Sequence, residues 1–399
     1  MSRPPRPGFP PPTLIETTEA LDALCRRLAA ETFVTVDTEF MRERTYWPEL
    51  CVVQLGGTQE VAVVDAEAPG LDLAPLGRLL ADPKVMKVLH AGRQDIEIFV
   101  LKFGAVPTPV FDTQIAAMVA GFGDQIAYDA LVAALAGGHI DKSHRFSDWS
   151  ARPLSAAQIV YAAADVTYLR VVYEKLCERL AREGRLDWVA QEMAALADPS
   201  AYRADPETAW ERLRPRNGNR RFLGMLRALA AWREREAQRA NVPRQRLVKD
   251  ETLGEIAATV PTTAEELARA RGITRGFAEG RIGASLLDAV AAAKAQPDES
   301  LPEVPRGRDA RPSPALVALL RVLLAAKAEE HDVAARLVAS GDDIERLALG
   351  DDADAPALHG WRREVFGEDA LALRDGRLAL GVEGKRVRLI DTADHSHEE

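Results

Sequence analysis

A chain of 399 residues is too long for one ordinary domain and points to two or three. A hydrophobic fraction of 47% supplies packed cores, and 28% charged residues is normal for a water-soluble protein. No run of about 18 apolar residues occurs, which argues against a membrane-spanning helix; the formal net charge of −10, taken alone, argues against a nucleic-acid partner.

The stretch to Pro12 is Pro-rich with two arginines and no apolar core, so it reads as a disordered lead rather than a secretory signal. Thr18 to Glu31 predicts an amphipathic helix, with Leu21, Leu24, Cys25 and Leu28 on one face and Thr18 as N-cap. Phe33 to Phe40 then begins as a buried strand and carries two acids, Asp37 and Glu39. On a strand, positions i and i+2 share a face, so two carboxylates leave a hydrophobic strand side by side. Each needs a cation, an arginine or a helix N-terminus as partner.

Leu50–Leu55 and Val61–Asp65 predict two further strands joined through Gly56-Gly57 as a hairpin, and with the first strand they suggest an antiparallel meander. Leu73–Leu80 reads as helix and Val85–His90 as a fourth strand. A helix from about Arg93 to Phe103 follows, with Asp95 in its first turn. Val110–Phe111 predicts a short strand that ends at Asp112, a helix cap. Such strand–helix pairs add parallel strands to the meander.

Ala127–Ala136 is predicted helical and is ended by Gly137-Gly138. Asp141 to Pro153 is polar and reads as a loop near a polar ligand. Lys142, His144 and Arg152 are candidates there for phosphate or terminal-ribose contact, and Trp149 for packing or base stacking. Ser155 caps a long helix to about Arg182, on which Tyr161 and Asp165 share a face. The alanines between them let that helix approach the sheet closely.

Beyond a Pro-bearing linker the chain turns helical and basic. Residues 212–249 hold twelve Lys and Arg against two acids, Glu234 and Glu236, a local excess of +10 that leaves about −20 elsewhere. A positive block in an acidic protein suits a polyanion. Arg227, Arg233, Arg235, Arg239 and Arg246 are its candidate phosphate contacts. A second Pro-rich linker precedes more helix, and the alternation Leu378, Leu380, Val382, then Val387, Leu389 predicts a small hairpin. Cys25, Cys51 and Cys177 sit in apolar surroundings without CxxC spacing, as reduced core residues. No phosphate-loop motif of the G-x-x-x-x-G-K-[ST] type appears, which argues against a helicase.

If the strand order gathers Asp37, Glu39, Asp95 and Asp165, four carboxylates meet in one cleft and cannot all stay ionised without cations. Hard oxygen ligands suit two Mg²⁺ or Mn²⁺ ions and the hydrolysis of a phosphodiester, with Tyr161 positioning the attacking water.

Asp37-Thr38-Glu39-Phe40, His90 to Asp95 and Tyr161 to Asp165 resemble, in order and spacing, the three motifs of the DEDD exonuclease family. The tyrosine resembles that of the Tyr subgroup; the sister subgroup would carry histidine where Val160 stands. Arg42 to Pro48, Asp112-Thr113-Gln114 and Asp141 to Ser155 are similar to the connecting segments of bacterial ribonuclease D, and the basic block resembles an HRDC domain. The resemblance implies a 3′–5′ exoribonuclease that releases 5′-mononucleotides, with Asp37, Glu39, Asp95 and Asp165 as metal ligands and Tyr161 as catalytic residue. It implies RNA partners (tRNA precursors and small structured RNAs) in the cytoplasm, with no membrane and no obligate protein partner. The expected architecture is an RNase H-like α/β domain, a mixed sheet flanked by helices, followed by two mainly α-helical domains. The expected boundaries are lead 1–13, exonuclease 14–206, first HRDC-like domain 209–296, linker 297–313, second and divergent HRDC-like domain 314–390, and tail 391–399. A 3′–5′ DNA exonuclease and a non-catalytic nucleic-acid-binding module are the alternatives.

Overall fold

In the computed structural model, which describes residues 10–213, 219–303, 312–350 and 355–392, six strands form the sheet that carries the paired acids. They are β1 (Pro12–Ile15), β2 (Phe33–Met41), β3 (Glu49–Gly56), β4 (Val61–Asp65), β5 (Met86–Leu89) and β6 (Val110–Asp112), in the order β1-β4-β3-β2-β5-β6. The predicted β3–β4 hairpin is present and antiparallel, with Gly56 opposite Val61. Arg170 Nη1 donates to both Phe33 O (3.3 Å) and Gly56 O (3.2 Å), so the start of β2 lies beside the end of β3 and these strands also run antiparallel. β5 and β6 add in parallel, as expected. β1 begins inside the segment read as a disordered lead: Pro12 and Thr13 of that segment, with Leu14 and Ile15 after it, pair with Val61–Val64 at the sheet edge, where a proline costs no ladder bond. Residues 1–9 of that lead lie outside the described residues.

The helices of this region are α1 (Thr18–Leu28), α2 (Ala74–Ala81), α3 (Arg93–Phe103), α4 (Thr113–Val119), α5 (Tyr128–Ala136), α6 (Ala156–Arg182) and α7 (Leu186–Leu196). α1 is capped by Thr17, not Thr18: Thr17 is extended and accepts from Ala20 N, whereas Thr18 Oγ1 accepts from Asp72 N at 2.9 Å. α6 opens on a capping box in which the Ser155 hydroxyl accepts from Gln158 N while the Gln158 amide oxygen accepts from Ser155 N. Its alanines let it lie close on the sheet, with Ala162 and Ala163 buried.

The chain divides into two compact units. One comprises Met1–Glu39, Leu50–Ala201 and Ala310–Glu399, the other Phe40–Glu49 and Tyr202–Asp309. In the second, α8 (Arg220–Ala240) buries Met225, Leu226, Leu229 and Trp232 against Leu253, Ile256, Leu267 and Ile273. Phe40–Glu49 joins this unit: Tyr46 donates its hydroxyl to the buried Glu234, and Asn241 Oδ1 accepts from the Tyr46 and Trp47 amides.

The C-terminal helices have their own core around Leu320, Leu323, Trp361 and Phe366 and end in the predicted hairpin, β7 (Leu378–Glu383) with β8 (Arg386–Asp391). β8 runs to Asp391, the first residue of the expected tail; residues 393–399 lie outside the described residues. This C-terminal region packs on α7. The Trp188 and Trp361 rings stack at 4.6 Å, and Glu192 accepts from Trp361 Nε1 (3.0 Å) and Arg362 Nη2 (2.7 Å). Arg185 donates to Val119 O, His331 O and Asp332 O.

Candidate active site

Three of the predicted acids converge. Carboxylate oxygens of Asp37 and Glu39 on β2 and of Asp165 on α6 all lie within 4.8 Å of one another. What fixes this meeting is the sheet–helix contact at the residue next to Asp165. Thr35, on the same face of β2 as Asp37, donates to Val166 O at 2.8 Å and to Gly56 O at 3.3 Å. A Cβ on Gly56 would collide with Thr35 Oγ1 and stand 3.2 Å from Val166 O, so only glycine lets α6 sit this low.

Asp95 stands apart from the trio. Its Oδ1 accepts from Thr38, which projects from the opposite face of β2 to Asp37 and Glu39. Its charge still reaches them, because it contributes to raising both of their carboxyls. The helix that carries Asp95 is pinned by Asp112. That carboxylate accepts from Gln114 N (2.8 Å) and Ile115 N (3.3 Å) as the expected cap, and also from Ala91 N (3.1 Å) and Gly92 N (2.8 Å) at the start of α3.

Burial and mutual repulsion dominate the electrostatics. Burial first, then Asp165, Asp95 and Glu39, hold the Asp37 carboxyl well above its usual range. Glu39 is pushed to about 9 by burial and by Asp165 and Asp95, and burial carries Asp165 to about 7. Asp95 reaches about 6, since burial outweighs the Thr38 hydrogen bond that lowers it. No Lys or Arg pairs with Asp37, Glu39 or Asp165 among the described residues. Clustered, cation-poor carboxylates of this kind are a hard-oxygen donor set that fits a divalent metal ion.

Tyr161 lies beside the cluster, its hydroxyl pKa raised by burial and by Asp165, Glu39 and Asp37, so it remains a protonated donor. The His144 and Trp149 rings flank it at 6.1 and 5.9 Å. Trp149 is buried, which leaves packing rather than base stacking as its role. The exposed aromatic of this loop is Phe146, 91% exposed, with the Arg145 guanidinium 5.4 Å from its ring centre. Nothing in the local pattern distinguished Phe146 from Trp149; burial does. Tyr128 was also missed, because its partners are distant in sequence: its hydroxyl donates to Asp165 O (2.6 Å) and Ala164 O (3.2 Å), steadying the α6 backbone at the site.

Two basic candidates turn out to be structural. Arg152 forms a two-pronged pair with the buried Asp65 (2.8 and 2.6 Å) and donates to Trp149 O and Cys51 O, so its donors are consumed inside the fold. Arg233 is 3% exposed and is spent on Val248 O (2.8 Å) and Asp250 (2.7 Å). Lys142 pairs with Asp129 at 2.8 Å. Arg227 is half-buried and donates to Ser300 O (2.8 Å). Arg235, Arg239 and Arg246 are exposed; the first two pair with Glu207 and Glu236, and Arg246 donates to Glu43 O. Part of the counted excess is thus balanced by Glu207, Asp250 and Asp298, acids outside the counted window.

A mixed sheet with its acids gathered under one long helix defines the class, a 3′–5′ exonuclease: a family profile of that description matches residues 12–181, and an HRDC-domain profile matches residues 222–290. The chain is 67% identical to ribonuclease D of Granulibacter bethesdensis, over 98% of this chain and all of that one. It is 66% identical to ribonuclease D of Gluconacetobacter diazotrophicus, with the same coverage. Among solved structures it resembles Escherichia coli RNase D, described as an exoribonuclease involved in structured RNA processing, at 30% identity and a TM-score of 0.82 over 92% of this chain and 99% of that one. The chain belongs to the ribonuclease D family and is a 3′–5′ exoribonuclease.

Proposed function

We propose that this exoribonuclease hydrolyses the terminal phosphodiester of RNA at a site built from Asp37, Glu39, Asp95, Asp165 and Tyr161, releasing 5′-mononucleotides. The observation that carries the reading is the trio Asp37, Glu39 and Asp165, three carboxylates within ligand distance of one another and without a basic partner among the described residues. Two divalent cations, Mg²⁺ or Mn²⁺, would supply Lewis-acid activation of water and of the phosphoryl oxygens. Asp37, Glu39 and Asp165 would hold them, with Asp95, whose Oδ1 accepts from Thr38, as the fourth carboxylate of the donor set. Tyr161, kept protonated, donates a hydrogen bond that orients the attacking water rather than removing its proton. Phe146 offers a face for a base of the incoming strand, beside the cationic Arg145.

The substrates in this reading are tRNA precursors and other structured RNAs in the cytoplasm. No helix of the described residues is long and apolar enough to cross a membrane. The HRDC domain binds the RNA body through exposed basic residues such as Arg235, Arg239 and Arg246, and the region 314–390 is a second, divergent domain of that kind. The remaining boundaries of the reading are the exonuclease domain at 14–206, the first HRDC-like domain at 209–296 and the linker at 297–313.

The test is a time course on 5′-labelled single-stranded RNA and DNA of one sequence with Mg²⁺, Mn²⁺ or EDTA. A ladder shortening from the 3′ end on RNA, absent in EDTA and absent for Asp37→Ala with RNA affinity kept, is the expected result. Hydrolysis by Asp37→Ala would remove the metal assignment. Equal degradation of DNA would widen the substrate class.

A further inference from the structure

Gln54 is the one fully buried side chain among the described residues whose amide nitrogen and amide oxygen both lack a hydrogen-bond partner. It sits on β3, two residues before Gly56. Gly56 faces Thr35 across the β2–β3 pair, since a Cβ there would run into the Thr35 hydroxyl. In an antiparallel pair, moving two residues back along β3 moves two forward along β2. Gln54 therefore lies opposite Asp37, on the face that α6 covers and that carries Glu39. Side chains so paired have Cβ atoms about 4.5–5.5 Å apart, within reach of a three-torsion amide.

A buried amide with neither end satisfied is costly in any fold and calls for an explanation. Here the explanation is chemical. A carboxylate that gives one oxygen to a cation keeps lone pairs on the other, and ligating carboxylates are held in place by outer hydrogen-bond donors. Asp37 has the Thr38 amide as one donor, no arginine or lysine, and the Gln54 amide as its cross-strand neighbour. We propose that Gln54 is a positioning residue for metal binding: its Nε2 donates to the Asp37 oxygen turned away from the cation and fixes the carboxylate's orientation. This rests on the assignment of Asp37 as a ligand.

The experiment compares wild type, Gln54→Met, Gln54→Leu and Asp37→Ala by Mn²⁺ titration calorimetry and by thermal unfolding in EDTA. Methionine and leucine keep the buried volume and remove the donor. The expected result is Mn²⁺ affinity weakened at least about tenfold in both Gln54 variants, with metal-free melting temperatures equal to or above wild type, and kcat for RNA reduced while KM holds. Unchanged Mn²⁺ affinity in a folded Gln54 variant, with affinity lost in Asp37→Ala, overturns the role of Gln54 alone. Unchanged affinity in Asp37→Ala overturns the site beneath it.

Discussion

Asp37, Glu39 and Asp165 are individually ordinary acids; packed together they store electrostatic strain that a cation relieves. Their carboxyls, and that of Asp95, titrate higher in the fold than the value near 4 expected for an unfolded chain, with Glu39 raised from 4.5 to about 9, Asp165 from 3.8 to about 7 and Asp95 from 3.8 to about 6. The folded state thus binds protons that the unfolded state has released. The contribution of these groups to stability is complete below about pH 4 and is lost as pH rises through 6, 7 and 9. In EDTA the melting temperature should fall between pH 5.5 and 8.5, and Mg²⁺ or Mn²⁺ should raise it more at 8.5 than at 5.5. Calorimetry at the two pH values checks this; a metal-induced rise no larger at the higher pH would mean that the acids are not ionised onto the ion.

The pairing of β2 with α6 turns these residues into a site. Thr35 bonds the helix backbone at Val166, one residue beyond Asp165, and Gly56 leaves the room for it. In Gly56→Ala the added methyl meets Thr35 Oγ1 and the Val166 carbonyl, so α6 must lift or the Thr35 bond must break. Overpacking of this kind costs about 1–3 kcal/mol. Because the displaced helix carries Asp165, the same change should lower Mn²⁺ affinity together with stability, read by titration calorimetry and a urea melt. A variant that lost stability but held Mn²⁺ as tightly as wild type would show that the helix height does not set the ligand geometry. Tyr128, which donates from α5 to the Asp165 carbonyl, constrains the same helix.

The described C-terminal residues, 312–350 and 355–392, belong by packing with the exonuclease unit. Trp188 and Glu192 of α7 are covered by Trp361 and Arg362, and Glu192 is a buried carboxylate whose cation comes from the C-terminal region. A chain ending at Glu303 would strand that carboxylate and expose an indole face. Leaving one partner of a buried pair costs about 3–5 kcal/mol, so denaturant unfolding should show a loss of that order with a red-shifted tryptophan emission. Unchanged stability would make the C-terminal region an independent module. Removing everything after the exonuclease segment would combine this damage with loss of the basic helices, so RNA affinity is better tested by charge reversal at Arg235, Arg239 and Arg246 in the full chain.

Local chemistry made much of this protein legible in one dimension. Strand alternation placed Asp37 and Glu39 on one face, the Ser155 and Asp112 caps marked helix starts, and the spacing of Tyr161 and Asp165 put both on one helical stripe, because these features depend on residues a few positions apart. The arginines were misjudged for the converse reason. Arg152 finds Asp65 at a separation of 87 residues, and the acids that neutralise Arg233 and Arg235 fall outside the window in which charge was counted. β1 was invisible because four residues opening on Pro12 carry no pattern of their own and become a strand only by pairing with β4. Charge, burial and the company a side chain keeps are set by contacts between distant segments, and those were decided only when the sheet, α6 and the C-terminal helices closed on one another.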